Sequence, residues 1–361
     1  MENLKTTPLH SRHIEAGAVM SPFGGFDMPI EYAGIVEEHE AVRRRVGMFD
    51  VSHMGEVTVE GPDAERFVNH IFTNDVSRLT DGAIQYGMML YDDGGTVDDL
   101  LVYRQSPQRF LLVINASNID KDVAWIMSHT DGFDVRVNNV SDIWAEIAIQ
   151  GPEAESTMRD VLGIDASSLG FYTFLTLPDG SIVSRTGYTG EDGFELYTIP
   201  AAADDAWMRL LDAGVQPCGL GCRDTLRFEA GLPLYGDELS EEITPVMAGL
   251  GLFVKLDKTD FIGRDAIAAQ KAEGPARKIV GLEIEGPAIA RHGYEVMDSE
   301  GNTIGTVTTG YRSISLGRNL AMALVDSRYA TLGTELKVRV RRKTFLAKVI
   351  KKRFYTPNYK K

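Results

Sequence analysis

Val57-Thr58-Val59-Glu60-Gly61-Pro62 leads into a segment with apolar Ala64, Phe67, Val68 and Ile71. Ile147-Ala148-Ile149-Gln150-Gly151-Pro152 leads into another, with Ala154, Met158, Val161 and Leu162. Each stretch reads as a strand, a Gly-Pro turn and an amphipathic helix with proline in its first turn. The succeeding elements repeat as well. After the first copy, a hairpin over residues 99–102 and 110–115 turns at Ser106-Pro107, and a helix begins after Ser117. After the second, strands over residues 181–186 and 194–198 precede a helix carrying Trp207, Leu210 and Leu211, closed by Gly214. Strand-helix-strands-helix, used twice, predicts an α+β protein with paired halves of ferredoxin-like character.

The texture changes after about Ala276. Short strands at residues 279–285, 295–297, 303–309, 321–325, 335–341 and 345–351 alternate with Gly, Asn and Asp turns. Even spacing of this kind predicts a small β-barrel or sandwich. Residues 261–273 read as a linking helix. The chain is therefore expected to divide into a region 1–275, made of two interwoven α+β domains, and a C-terminal β domain, 276–361.

Composition removes several function classes. The 361 residues are 43 % hydrophobic and 25 % charged, a globular balance, and no apolar run is long enough to span a membrane. The N-terminal Met1-Glu2-Asn3-Leu4-Lys5-Thr6 lacks a signal-peptide core, and Cys218 and Cys222 suggest no disulfide framework, so a cytoplasmic address is expected. A net charge of −15 argues against broad nucleic-acid binding. Residues 337–361 nevertheless hold eleven Lys or Arg and no acid. Such a tail could grip RNA, an acidic partner or an anionic ligand. Its alternation through Lys337-Val338-Arg339-Val340-Arg341 equally describes the solvated face of a half-buried strand.

Standard catalytic constellations are missing from the sequence. It holds no phosphate-binding loop, no dinucleotide glycine fingerprint and no nucleophile elbow. Its histidines and cysteines lack zinc spacing, so no metal is expected. Four polar, glycine-rich segments remain. Phe49-Asp50-Val51-Ser52-His53-Met54-Gly55 sets polar groups in an apolar run, which a hydrogen-bonded Ser-His turn beneath a helix would also explain. Gly94-Gly95-Thr96-Val97-Asp98-Asp99-Leu100-Leu101-Val102 brings two acids to the head of an apolar strand. Alternation sends them to opposite sides, and Asp99, sharing a face with Val97 and Leu101, is the inward candidate. A buried carboxylate needs a partner, which a ligand can supply. Thr186-Gly187-Tyr188-Thr189-Gly190-Glu191-Asp192-Gly193-Phe194-Glu195 pairs sharp turns with an acid just inside a strand. In the last segment, Arg223, Arg227 and Gly231 recur at helical spacing, a pattern shared by surface ion-pair faces and functional helices.

Taken in order, these segments resemble the glycine cleavage T-protein family and its folate-dependent relatives. The residues carrying the likeness are Gly24-Gly25-Phe26-Asp27-Met28-Pro29, Glu38-His39 through Ala41-Val42-Arg43, Met48-Phe49-Asp50-Val51-Ser52-His53-Met54, Asp98-Asp99-Leu100, Gly187-Tyr188-Thr189-Gly190-Glu191, and Arg223-Asp224-Thr225-Leu226-Arg227 through Gly231 and Leu234-Tyr235-Gly236. Phe26 stands where many relatives carry Trp.

The resemblance implies a three-domain cloverleaf around a central folate channel. It also implies an aminomethyltransferase that takes an aminomethyl group from the dihydrolipoyl arm of a lipoyl-carrying H-protein to tetrahydrofolate, releasing ammonia. It places Glu195 on the pterin edge, where a carboxylate accepts two neighbouring N–H groups, and Arg223 at the same folate site. Tyr359 matches a family tyrosine there. Met54, Tyr86, Val113 and Tyr188 match residues lining the folate slot. Asp99 is the implied catalytic residue, its charge stabilising the cation that builds during transfer. No nucleic acid or membrane partner is implied. The nearest alternative is a folate-dependent demethylase of the same fold acting on an O-, S- or N-methyl donor. A non-catalytic iron–sulfur maintenance relative would carry a Lys-Gly-Cys-Tyr-x-Gly-Gln-Glu signature, which this chain lacks.

Overall fold

Gly61 and Gly151, the two Gly-Pro glycines, adopt φ of +139° and +131°. A Cβ on Gly61 would fall 2.3 Å from the Asp134 carbonyl oxygen, and one on Gly151 would fall 2.5 Å from that of Arg45. Glycine is required at both places for the same reason: the strand must turn into its helix tight against neighbouring backbone. The repeat is thus structural as well as textual.

The computed structural model describes residues Leu4–Pro357. Helix α1 (His10–Glu15), a hairpin of β1 (Val19–Phe23) and β2 (Phe26–Glu31), α2 (Ile35–Arg44) and β3 (Gly47–Asp50) come first. The first half is then built from β4 (Gly55–Glu60), α3 (Ala64–Ile71), β5 (Ile84–Leu90), β6 (Thr96–Ser106), β7 (Arg109–Ile114), α4 (Ile119–Ser128) and β8 (Arg136–Asn139). The second half is β9 (Ala145–Gln150), α5 (Ala154–Thr157) continued by a π-helical turn at Met158–Leu162, β10 (Phe174–Thr176), β11 (Ile182–Ser184), β12 (Gly193–Thr198), α6 (Pro200–Asp212) and β13 (Gln216–Pro217). The sheets run β5-β6-β7-β4-β8 and β10-β11-β12-β9-β3-β13. They share one order, except that β3 is inserted between β9 and β13 of the second.

Two compact units divide the chain. One holds the residues up to Gly87 together with Leu100–Leu226, and the other holds Met88–Asp99 and Arg227–Thr356. In the first unit, one face of the second sheet carries Met48, Ile147, Ile149, Phe194 and Leu196, packed against Ala203, Trp207 and Leu210 of α6. Its other face meets the first sheet. Tyr103, Leu111 and Val113 from one sheet pack with Ile182 and Tyr197 from the other, so both faces of β9 and β12 are buried.

Helix α7 (Leu220–Ala230) passes from the first unit into the second, which then contains α8 (Arg264–Glu273) and a closed barrel. The barrel strands are β14 (Arg277–Ile284), β15 (Glu295–Met297), β16 (Thr303–Arg312), β17 (Asn319–Asp326), β18 (Glu335–Val340) and β19 (Lys343–Ile350), ordered β14-β17-β16-β15-β18-β19. Closure removes free sheet edges, and Val280, Leu282, Val307, Ala323 and Val338 fill the interior. Along β18, Leu336 and Val338 point inward while Arg339 is exposed and pairs with Glu295 at 2.6 Å, so this basic stretch lies on a strand's solvated face.

Arg227 does not belong to a surface ion-pair face. It is 1 % exposed and bonds Glu238 at 2.8 Å, while Glu238 also accepts from the hydroxyls of Thr308 and Thr309 at 2.6 and 2.7 Å. Glu229 likewise accepts from Ser313 Oγ at 2.6 Å and the Ser315 N–H at 2.9 Å. Buried charges persist only when paired this fully, so the end of α7 is fastened to the barrel rather than offered to solvent.

Candidate active site

Strand alternation decides which side chains enter the space between the two sheets of the first unit. On β12, Glu195 pairs across with Ala148 of β9 and Ser184 of β11, and Tyr197 pairs with Glu146. On the facing sheet, Glu56 lies opposite Val113, and Tyr103 opposite Leu111. Carboxyls from β4, β9 and β12 therefore enter a space otherwise lined by aromatic and aliphatic groups. Glu56, Glu146 and Glu195 are 1, 2 and 8 % exposed.

Burial raises all three carboxyls above the ordinary range, Glu56 and Glu146 well above it. For Glu146 the charges of Glu195 and Glu56 add to burial. For Glu195 a hydrogen bond donated by the Thr186 hydroxyl and the charge of Arg223 act in the opposite sense. Arg223 lies on α7 with its guanidinium over the Tyr188 ring, 4.5 Å from the centroid. Glu195, Arg223 and Tyr188 thus form one polar corner of this unit. Met54 and Val113 belong to the apolar cluster that includes Tyr103 and Tyr197. Tyr86 sits half-buried on β5, its carbonyl accepting from Asn74 Nδ2 at 2.9 Å.

Asp99 belongs to the second unit, at the start of β6, where the strand is anchored by its first residue. The Thr96 N–H donates to the Ser240 carbonyl at 2.9 Å, Thr96 Oγ1 to that of Ile243 at 2.8 Å, and the Tyr235 hydroxyl to the Thr96 carbonyl at 3.2 Å. Sequence alternation makes Asp99 the inward acid; instead Asp98 is wholly buried and Asp99 half-buried. Both faces of this strand are covered, and the Asp98 face, shared with Leu100 and Val102, is the drier one. Asp99 shares its face with Leu101 and Tyr103. Tyr359 lies outside the described residues.

The Phe49–Gly55 segment also departs from expectation. Asp50 is consumed by structure, accepting from Thr7 Oγ1 at 2.6 Å and meeting His13 Nε2 at 2.8 Å. Ser52 bridges to the backbone of Glu146, whose N–H donates to its Oγ at 2.9 Å. His53 is not part of a hydrogen-bonded Ser-His turn. Its ring is 1 % exposed, neither nitrogen has a hydrogen-bond partner, and it stands edge-on to Phe23 and Phe26 at 5.7 and 6.4 Å. Burial and the neighbouring charge of Arg223 push it down to about 3, so it is neutral.

In the Gly187–Glu195 segment the glycines serve Gln150. A Cβ on Gly187 would fall 2.0 Å from the Gln150 amide oxygen, whose donor is Thr189 Oγ1 at 2.8 Å. Arg43 closes the loop on Glu191 at 2.9 Å, both nearly buried. Thr189→Val is expected to cost about 1–3 kcal/mol, because the buried Gln150 oxygen loses its donor. Urea unfolding measures this, and an unchanged midpoint would mean that the clasp adds nothing to stability.

Among the described residues, Glu38, Cys218 and Cys222 bring ligand-type atoms within 4.8 Å of one another. Glu38 already accepts from the N–H groups of Tyr32, Ala33, Gly34 and Gly219 at 2.6–3.3 Å, and burial raises the Cys218 thiol, so both groups are committed to packing. No described helix is long and apolar enough to cross a membrane.

Sequence reasoning did not find Tyr103, Tyr197, Glu56 or Glu146. Glu146 and Gln150 occupy the polar phase of Ala145-Glu146-Ile147-Ala148-Ile149-Gln150, which reads as a solvent face until a second sheet covers it.

Residues 9–258 match the family described as GCVT N-terminal domain, and residues 277–356 match the glycine cleavage T-protein C-terminal barrel domain. The chain is 50 % identical to an aminomethyltransferase of Desulfitobacterium hafniense, over 98 % of this chain and 99 % of that one. It is 48 % identical to an aminomethyltransferase of Alkaliphilus oremlandii over the full length of both. The crystal structure of glycine cleavage system aminomethyltransferase T from Bartonella henselae superposes with a TM-score of 0.95 at 35 % identity, covering 99 % of this chain and all of that one.

Proposed function

The chain belongs to the glycine cleavage T-protein family and is an aminomethyltransferase of the glycine cleavage system, and from that premise we propose the chemistry of its site. The donor is the dihydrolipoyl arm of an H-protein and the acceptor is tetrahydrofolate. The transferred carbon leaves sulfur and nitrogen for N5 and N10 of the folate. The two protons lost from those nitrogens leave on the thiol and on ammonia. The region 1–275 holds the folate, the segment 276–361 forms the barrel domain, and the enzyme works in the cytoplasm.

The observation that carries this reading is the corner formed by Glu195, Arg223 and Tyr188. A carboxylate that is almost dry, with one hydroxyl donor and one nearby guanidinium, has acceptor capacity for a flat ligand bearing paired N–H groups. The pterin edge is such a ligand. Met54, Tyr86, Val113 and Tyr188 line its slot, Tyr359 completes the folate site, and Asp99 stabilises the cation formed as ammonia departs.

Purified protein with tetrahydrofolate and aminomethylated H-protein should release ammonia and form methylene-tetrahydrofolate in equal amounts. Turnover of an O-, S- or N-methyl donor without H-protein would favour the demethylase reading instead.

A further inference from the structure

The Phe49–Gly55 segment leaves one polar side chain unpaired. Its backbone is held firmly: the Ser52 N–H donates to Asp50 Oδ1, the Val51 N–H to the Glu146 carbonyl and the Met54 N–H to the Val51 carbonyl, each at 3.0 Å. Asp50 and Ser52 are thereby spent on structure. His53 follows them on the link, residues 51–54, that carries the chain from β3 of the second sheet to β4 of the first. Its ring is 1 % exposed, and neither nitrogen has a hydrogen-bond partner among the described residues.

Such a position is costly for the fold, because buried polar atoms are nearly always paired. A neutral imidazole has one N–H and one bare nitrogen. The Phe23 and Phe26 rings stand edge-on at 5.7 and 6.4 Å. They offer the N–H at most a weak contact with an aromatic face, and they have no polar donor for the bare nitrogen. Protonating that nitrogen is no remedy, since burial and the charge of Arg223 oppose a second positive charge. The bare nitrogen therefore calls for an N–H donor that the described residues do not supply.

We propose that the bare nitrogen of His53 accepts a hydrogen bond from an N–H group of bound tetrahydrofolate, which makes His53 a further binding residue for the acceptor. Two observations connect the imidazole with the Glu195, Arg223 and Tyr188 corner. The charge of Arg223 reaches it. Its chain neighbour Met54 packs in the apolar cluster with Val113, Tyr103 and Tyr197, and Tyr197 lies two residues along β12 from Glu195. The chemistry is complementary. A reduced pterin carries ring N–H groups beyond the pair that one carboxylate clasps, and a neutral acceptor takes one of them without adding charge. A site that already buries Glu56, Glu146 and Glu195 is poorly served by another anion. The inference rests on the reading of that corner as the folate site.

The nitrogen's own signal provides the test. In nitrogen NMR of protein carrying labelled histidine, the bare nitrogen of His53 should move upfield when tetrahydrofolate is added, as an imidazole nitrogen does on accepting a hydrogen bond. The signal missing from His53→Leu, or from His53→Gln if His53→Leu does not fold, identifies it among the seven histidines. His53→Leu also removes two unpaired polar atoms, so its urea midpoint should equal or exceed that of wild type. Its affinity for tetrahydrofolate should nevertheless fall about tenfold, the loss of one hydrogen bond at a buried site. A histidine needed only for packing would do the reverse, lowering the midpoint and sparing the affinity. A signal unmoved at saturating tetrahydrofolate would give the nitrogen to a buried water and overturn the proposal, as would binding by His53→Leu within twofold of wild type. Glu195→Gln separates this assignment from the reading beneath it. If Glu195→Gln binds folate normally, the reading of the corner fails; if it loses binding while His53→Leu does not, only the His53 assignment fails.

Discussion

Asp99→Asn should lower kcat by roughly 10²–10³-fold while leaving the tetrahydrofolate KM within about threefold. The substitution keeps size and planarity and removes one charge. N5 of tetrahydrofolate is neutral at pH 7, so proton abstraction is not the difficult part of the reaction. The difficult part is the positive charge that grows as ammonia departs. A fixed carboxylate is worth more there than in water, because it needs no reorganisation. Asp99 is fixed: β6 begins with Thr96, held by Ser240, Ile243 and Tyr235, and Asp99 follows three residues along the same strand. Steady-state kinetics with saturating aminomethylated H-protein decide the matter. A kcat within threefold of wild type would remove Asp99 from catalysis, and a loss confined to KM would make it a binding group.

Glu195→Gln should raise the dissociation constant for tetrahydrofolate by roughly 10²-fold or more, with a smaller effect on kcat at saturation. The glutamine amide offers one acceptor where the carboxylate offers two, and its NH₂ group opposes ligand N–H donors. Thr186 still has an oxygen to bond, so the fold should survive, as thermal unfolding would show. Equilibrium binding measures the effect directly. An unchanged constant would mean that the pterin edge is recognised elsewhere.

Much of this architecture could be read in advance because its signals are local. The Gly-Pro turns at 61–62 and 151–152, the apolar spacing of Phe67, Val68 and Ile71, and the evenly spaced strands after Ala276 each specify geometry within a few residues. What could not be read depends on what covers a surface. Glu146 and Gln150 occupy the polar phase of an apparently half-exposed strand, and only the packing of a second sheet makes that phase a core. Arg227 has helical surface spacing and is buried because the barrel supplies Thr308 and Thr309 for its partner Glu238. The relative burial of Asp98 and Asp99 was illegible on the same ground. Alternation showed that they diverge, but not which face is the more sheltered.

The placement of β3 also bears on how the polypeptide emerges from the ribosome. The β4–β8 sheet can be assembled from a continuous stretch of nascent chain. The second sheet cannot, because β9 must pair on one side with β12, still to be synthesised, and on the other with β3, made some hundred residues before it. Residues 47–50 must therefore wait, without their strand partners, through the synthesis of an entire half. Pairings this distant in sequence are slow to form, which makes closure of β9 the natural late step in maturation.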